Sequence, residues 1–459
     1  MNSRQRLIAA VNHRQPDRIP VDLGGTSVTG ISAIAYNKLV MHLAKGKPGR
    51  VDDTVQQTAY AGGLTGVTDV VREIAGAGKP ERVYDLVQQL ASAVRPARIT
   101  DVVQQIANVE MEIVDLLGVD VLDTNRIYAE QADWYEVELD DGSRAEFPGW
   151  FRPERMPDSS WQLVDDEGIV QLRMIRGSSV FDQVFFPYEN GYPADFRGFR
   201  DIMQLIPGIE HPFSSDVKAE SLAEKVIALK NTTGKALTLS GGPGLLETGN
   251  SARRMENFLT DLLVNDVKVS AMLDMAMDLN MESLEHICNR FGDVADVICL
   301  GDDLGMKTGP LIDLETFRKF FKPRYKILCD YVKSHSDMKI FFHSCGSIRE
   351  FIPDLIEVGI DILNPVQTDS GEMDAAVLKR EFGRHITFWG GGPDASGVLN
   401  TGTPGEIRDD VMRRCEILSR DGGFVFAPVH NIMPEAPPQN ILAAYKAVQE
   451  FSGTTFSAL

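Results

Sequence analysis

His343, Ser344 and Cys345 place an imidazole and a thiol two positions apart, so in an extended segment both project from one face. That pair is half of a zinc site, and His430, two residues after Pro428, is a candidate third ligand. A His₂Cys set leaves a fourth position open, as catalytic zinc requires. The structural alternative is a hydrogen-bonded histidine near an inert buried thiol, and H-x-C alone does not decide between them. Asp302 and Asp303 are acid–base candidates. Successive side chains diverge, so one of the two faces a site while the other caps a helix or joins an ion pair. Asn364 and Gln367 could bind a polar substrate edge or satisfy loop backbone. Ser240 is a further substrate-binding candidate, and Trp389 could line a pocket or belong to the core. Cys288, Cys299, Cys329 and Cys415 sit in apolar patterns and read as core thiols. H-E-x-x-H, paired C-x-x-C and a nucleophile elbow are absent. So is D-x-H-x-x-G, the motif by which a chain itself ligates cobalamin.

These candidates share a position, at the ends of apolar, β-rich runs. The runs are Val119–Asp123, Ala236–Ser240, Val297–Leu300, Lys339–His343, Ile360–Asn364, His385–Trp389 and Phe424–Pro428. Helical patterns separate them, and such alternation predicts a parallel sheet covered on both faces. Seven strands suit an α/β fold of the eight-stranded (β/α)₈ TIM-barrel type with one strand unplaced. In such a barrel, chemistry comes from the C-terminal strand ends. There the sequence carries Ser240-Gly-Gly, Gly301-Asp-Asp, His343-Ser-Cys-Gly, Asn364-Pro-Val-Gln, Trp389-Gly-Gly-Gly and His430-Asn. Glycines at those ends let a ligand approach the backbone closely. A doubly wound open sheet is the alternative, but Gly76-Ala-Gly-Lys lacks the spacing of a P-loop. The helix predicted over 314–332 has one apolar stripe and contains Pro323, which should kink it.

The domain organisation expected is a helical N-terminal segment, 1–115, packed on a barrel, 116–459, with a β-rich insertion at about 133–212. The insertion holds Asp140-Asp-Gly-Ser as a hairpin turn and is either a surface excursion or a lid. The N-terminal segment repeats P-x-R-(V/I)-x-D-x-V-Q-Q-x-A at Pro48, Pro80 and Pro96, with unequal offsets of 32 and 16 residues. A solenoid needs a fixed period, so the repeat reads as a local duplication of one helix capped by its Asp. Composition sets the class. Of 459 residues 43% are apolar and 24% charged, which is globular usage, and the formal charge of −20 lacks the basic face that nucleic acid needs. No run approaches a membrane span, and Met1-Asn-Ser-Arg-Gln-Arg lacks a signal-peptide core. Five cysteines without a secretory signal read as reduced thiols, so a cytoplasmic location is expected.

In this order, several segments resemble the uroporphyrinogen decarboxylase superfamily. They are Arg18-Ile-Pro-Val, Arg82-Val-Tyr-Asp-Leu-Val-Gln-Gln, Gly301-Asp-Asp-Leu-Gly, Phe321-Lys-Pro-Arg-Tyr-Lys, Phe342-His-Ser-Cys-Gly-Ser, Ile362-Leu-Asn-Pro-Val-Gln, Phe388-Trp-Gly-Gly-Gly and Ala427-Pro-Val-His-Asn-Ile. The resemblance runs over nearly the whole chain, is strongest from about 236 onward, and implies a (β/α)₈ barrel. The decarboxylases carry an arginine-rich N-terminal segment that holds tetrapyrrole carboxylates. Here that stretch continues Asp22-Leu-Gly-Gly-Thr without an arginine cluster. The closer branch is the zinc-dependent methyltransferases that work with a corrinoid. Their ligands are a His-x-Cys pair and a later Cys, and His343 and Cys345 match the pair. His430 stands where the later Cys is expected, a departure that raises the site's formal charge by one unit.

The resemblance thus implies methyl transfer between a corrinoid on a partner protein and a small substrate, with zinc as Lewis acid. The substrate would be a thiol or a donor of methoxy, methylthio or methylamine type. A homodimer is compatible with the sequence, which leaves the methyl donor, the direction of transfer and the fourth zinc ligand open. One rival is decarboxylation of a porphyrin or aromatic acid, with Asp302 or Asp303 stabilising a protonated intermediate. A second is a non-catalytic corrinoid-binding or chaperone role.

Overall fold

The computed structural model describes residues 1–45, 95–129, 133–202 and 216–453. Strands β1 (Ala97–Asp101) and β2 (Ile106–Ala107) form an antiparallel pair, and β3 (Val121–Asp123) opens the main sheet. Six short strands follow: β4 (Trp134–Glu138), β5 (Arg144–Pro148), β6 (Glu154–Arg155), β7 (Trp161–Val164), β8 (Val170–Met174) and β9 (Asp182–Gln183). The main sheet then resumes with β10 (Ala236–Ser240), β11 (Val297–Gly301), β12 (Lys339–His343), β13 (Ile362–Asn364), β14 (Thr387–Trp389) and β15 (Phe424–Val425).

Seven of these strands pair in parallel in the order β15-β14-β13-β12-β11-β10-β3. Their apolar runs are buried on both faces, because helices cover one side and the curled sheet encloses the other. The register puts Gly301, His343 and Asn364 side by side at one level, the C-terminal strand ends. Residues 20–22 lie between the two edges of this sheet. Asp22 N donates to the Phe426 carbonyl (2.8 Å), Phe426 N to that of Pro20 (2.9 Å), and Asp120 N to that of Val21 (2.7 Å). An isolated parallel bridge, Val21 to Phe426, thus lies where the sequence left one strand unplaced. Pro20 and the brevity of the run hid it from a search for β-rich alternation.

The helix Ser3–Val11 inserts Leu7 and Val11 among Val121, Ala236, Val297 and Ile362, so it plugs the end of the sheet opposite the candidate residues. Asp120, Asp296 and Asp361 stand just before three strands. Each carboxylate accepts a backbone N–H from the neighbouring chain segment, at 2.9–3.0 Å. Arg6 and Arg18 clamp Asp120 at 2.7 Å, so these N-terminal arginines hold the framework together.

Between β3 and β10, β4 and β5 join β1 and β2 in one sheet, and β6 to β9 form another. Phe147, Phe151, Trp161 and Phe181 pack edge to face inside them. The repeat copies at 48–59 and 80–91 lie outside the described residues. The third, 96–107, is the β1–β2 hairpin and not a capped helix. Asp101 Oδ1 accepts from Val103 N (3.1 Å) and Gln104 N (2.9 Å). The same acceptor geometry caps a turn as readily as a helix, and here strand pairing prevails. At Pro323 the expected kink is a widened turn, Phe317–Phe321, leading into the helix Lys322–His335. Among the described residues no helix is long and apolar enough to cross a membrane. The five cysteines are free of disulfides.

Candidate metal centre and its cavity

His343 ends β12, Cys345 follows in the next turn, and His430 follows β15. Their ligand atoms all lie within 4.8 Å of one another, and among the described residues this is the group suited to a metal ion. Two loops from separate strands thus meet, with the imidazole rings 5.6 Å apart and Cys345 Sγ 3.4 Å from His343 Nε2. Asn364, at the end of β13, fixes the first ring. Its Oδ1 lies 2.7 Å from His343 Nδ1, while its Nδ2 donates to the Trp389 carbonyl at 2.9 Å. With Nδ1 so held, Nε2 is the nitrogen offered to the cavity, the usual supporting arrangement at a metal-binding histidine.

Electrostatics favour an uncharged donor set. Burial pulls His343 below its ordinary range, partly offset by Asp303 and Asn364. Burial, reinforced by His343, lowers His430 to about 4. Burial, reinforced by Asp303, pushes the Cys345 thiol well up. Two neutral imidazoles and a thiol stripped of solvent are the groups a divalent ion binds, displacing the thiol proton.

The two aspartates after β11 diverge as their adjacency predicts. Asp303 faces the cavity. Its Oδ1 accepts from Cys345 N (2.8 Å) and stands 3.8 Å from His343 Nε2. Asp302 turns into the protein. It accepts from Leu245 N and Leu246 N (2.9 Å each), from Glu247 N (3.0 Å) and from the Tyr325 hydroxyl. It therefore caps the helix Leu245–Arg253, where a carboxylate also meets the positive end of the helix dipole. Gly244 makes this possible: a Cβ there would lie 2.1 Å from Asp302 Oδ1. Strand-end glycines here serve close packing of protein on protein; a Cβ at Gly346 would meet Gly305 at 2.4 Å.

A cavity of about 360 Å³ opens beside the three donors. Ser240 lines it. Asn364, Gln367 and Trp389 do not. Asn364 is fully buried behind His343, and Gln367 Oε1 accepts from Gly346 N at 2.7 Å, shaping the Cys345 turn. Trp389 is core, packed edge to face on Phe341 at 5.4 Å and donating from Nε1 to Asp22 at 2.8 Å. Alternation along a strand tells which residues face inward, but not how deep in the barrel each lies.

Sequence reasoning missed Asp123, Glu247 and Gln104, all on the cavity wall. Asp123 ends β3 and so belongs to the strand-end pattern. Glu247 is in the first turn of a helix, and only the capping by Asp302 brings it here. Its side chain meets solvent through the cavity mouth, yet burial, with Asp302 and Asp303 nearby, raises it to about 8. Gln104 comes from the third repeat copy, and its Oε1 accepts from Asn431 Nδ2 at 2.9 Å.

Residues 243–451 match the profile of the family described as Uroporphyrinogen decarboxylase (URO-D). No curated protein matches the chain. Among solved structures, a methyltransferase from Methanosarcina mazei is similar over 98% of this chain and 99% of that one, with a TM-score of 0.54 and 16% identity. That similarity is one of fold. An endo-1,4-beta-xylanase from Caldicellulosiruptor owensensis aligns over 56% of this chain and 88% of its own, with a TM-score of 0.30 and 12% identity, and carries no argument. Residues 243–451, the stretch similar to the uroporphyrinogen decarboxylase family, supply β11 to β15 and all three metal-donor candidates.

Proposed function

We propose that this protein is a methyltransferase that moves a methyl group between a small substrate and a corrinoid carried by a partner protein. The observation that carries the reading is the meeting of His343, Cys345 and His430 on the wall of a substrate-sized cavity. The similarity in fold to a protein described as a methyltransferase supports it. This reading assumes a closed (β/α)₈ barrel, which the bridge from Val21 to Phe426 supports, and a cytoplasmic location.

The three donors fit zinc: one thiol, two imidazoles and a held second nitrogen on His343. A bound zinc would supply Lewis acidity toward the ether, thioether or thiol heteroatom of the substrate. The chain's own residues do the rest. Asn364 orients His343, Gln367 and Asp303 hold the Cys345 turn through its backbone N–H groups, and Asp303 places a carboxylate beside the donors. Ser240 and Gln104 offer hydrogen bonds from the wall, while Phe341 and Leu239 keep part of the cavity apolar.

The decarboxylase alternative meets an obstacle in the same wall. Among the described residues it carries three carboxyl groups and neither lysine nor arginine, so a polycarboxylate would meet no counter-charge from them. The test is methylation of cob(I)alamin by methoxy and methylthio donors, followed by absorbance with wild type and His343→Ala. Methylation that needs His343 is expected. Carbon dioxide released from an aromatic acid without corrinoid would replace this reading with decarboxylation.

A further inference from the structure

Asn431 directly follows the metal-donor candidate His430, is 1% exposed and does not line the cavity. Its carboxamide joins segments that are distant in the chain. Oδ1 accepts from Gly30 N at 2.6 Å, while Nδ2 donates to the Ser27 carbonyl at 3.0 Å and to Gln104 Oε1 at 2.9 Å. The two backbone partners fix its orientation, since an N–H only donates and a carbonyl only accepts. That orientation makes Gln104 present its oxygen here and its Nε2 to Asp101 Oδ2, at 3.3 Å.

These partners reach the cavity, because Thr26, Ser27, Val28 and Gln104 form part of its wall. Residues 24–30 make a tight strap. Gly24 N donates to the Thr29 carbonyl at 2.7 Å, and the Thr26 and Thr29 hydroxyls pair at 2.8 Å. Backbone holds the stem of the strap, with Ile432 N donating to the Gly30 carbonyl at 2.9 Å and Ser32 N to that of Ile432 at 2.8 Å. Asn431 reaches further, to the tip at Ser27 and across to the turn of the third repeat copy. The place calls for one acceptor and two donors, which a carboxamide supplies and an ionised carboxylate does not.

We propose that Asn431 is a positioning residue that keeps His430 in register with the substrate-side wall at 26–28 and Gln104. This rests on the methyl-transfer reading, which supplies the metal and the substrate, and adds what aligns their two sides. The test pairs Asn431→Asp with Gln104→Ala in the full chain. Asn431→Asp keeps the shape and the bond from Gly30 but turns an oxygen toward the Ser27 carbonyl and Gln104 Oε1. Hydrogen exchange of the metal-free variant should quicken about tenfold in peptides covering 23–31 and 101–107, the effect of losing ordinary hydrogen bonds there. Strands β11 and β12 should stay protected as in wild type. Cobalt(II), titrated in place of zinc, gives a second readout. Asn431→Asp should shift its visible absorption and weaken its binding about tenfold, as His430 loses its place. Gln104→Ala, which leaves the strap bonds of Asn431 intact, should do neither. Unchanged exchange at 23–31, exchange that quickens evenly along the chain, or an unmoved cobalt(II) spectrum overturns the proposal. Should Asn431→Asp not fold, wild type alone decides: a Gly30 amide that exchanges much faster than those of Ser32 and Ile432 overturns it, and one equally slow supports it. Exchange needs no metal, so the two readings fail separately. Wild type that binds neither zinc nor cobalt(II) sinks the proposed activity and leaves exchange to decide this inference.

Discussion

At the scale of single residues, the proposed centre involves Asn364 as well as the three donors. Its carboxamide spans 2.7 Å to His343 Nδ1 and 2.9 Å to the Trp389 carbonyl. Asn364→Leu keeps the volume but removes both bonds, freeing the ring to turn or change tautomer. Zinc affinity, measured by competition with a chelator, should fall about 10–100-fold; unchanged affinity would mean that the ring is held by other contacts. His343 and Cys345 were legible in the sequence because the i, i+2 rule needs only an extended chain. Whether Trp389 and Asn364 meet the pocket or the core is not legible there, for a related reason. Both do point into the barrel, but other side chains stand between them and the cavity, and depth does not show in a linear pattern.

At the scale of elements, the capped helix Leu245–Arg253 ties β11 to the cavity. Asp302→Asn keeps the shape but weakens charge-assisted bonds to three backbone N–H groups and Tyr325. The expected loss is about 1–3 kcal/mol in urea unfolding, with zinc content kept, because Asp302 faces away from the donors. Lost zinc with unchanged stability would assign Asp302 to the site instead. Which of two adjacent aspartates faces the cavity is fixed by the incoming helix, which β11 alone does not reveal. The hairpin β1–β2 teaches a similar lesson. At the places of Val102 and Ile106, 3% and 4% exposed, the first repeat copy has Thr54 and Thr58. At Ala97, 2% exposed, the second has Glu81. The third copy is the one whose side chains suit burial there, a distinction that the shared motif conceals.

At the scale of the whole molecule, acidity is both outside and inside. The chain carries a formal charge of −20, and burial holds Asp22 and Asp302 at about 6, Asp123 at about 7 and Glu247 at about 8. Their folded values exceed the unfolded ones, near 4. The stability they contribute is therefore present in full below about pH 4 and lost as pH rises through 6 to 8. Thermal unfolding of the metal-free protein should show a midpoint that falls between about pH 6.5 and 8, above the range in which the buried His343 and His430 act in the opposite sense; a midpoint that rises over that window contradicts the assignment. The same internal acids favour the proposed reading over a host for polycarboxylates. The proposed metal centre underlies the whole reading. Its most direct test is zinc content, with X-ray absorption at the zinc edge, of purified wild type beside His343→Ala, Cys345→Ala and His430→Ala. The account predicts about one zinc per chain, with one sulfur at about 2.3 Å and two nitrogens at about 2.0–2.1 Å, lost in each variant. Wild type without zinc, or three variants that all retain it, would contradict the account.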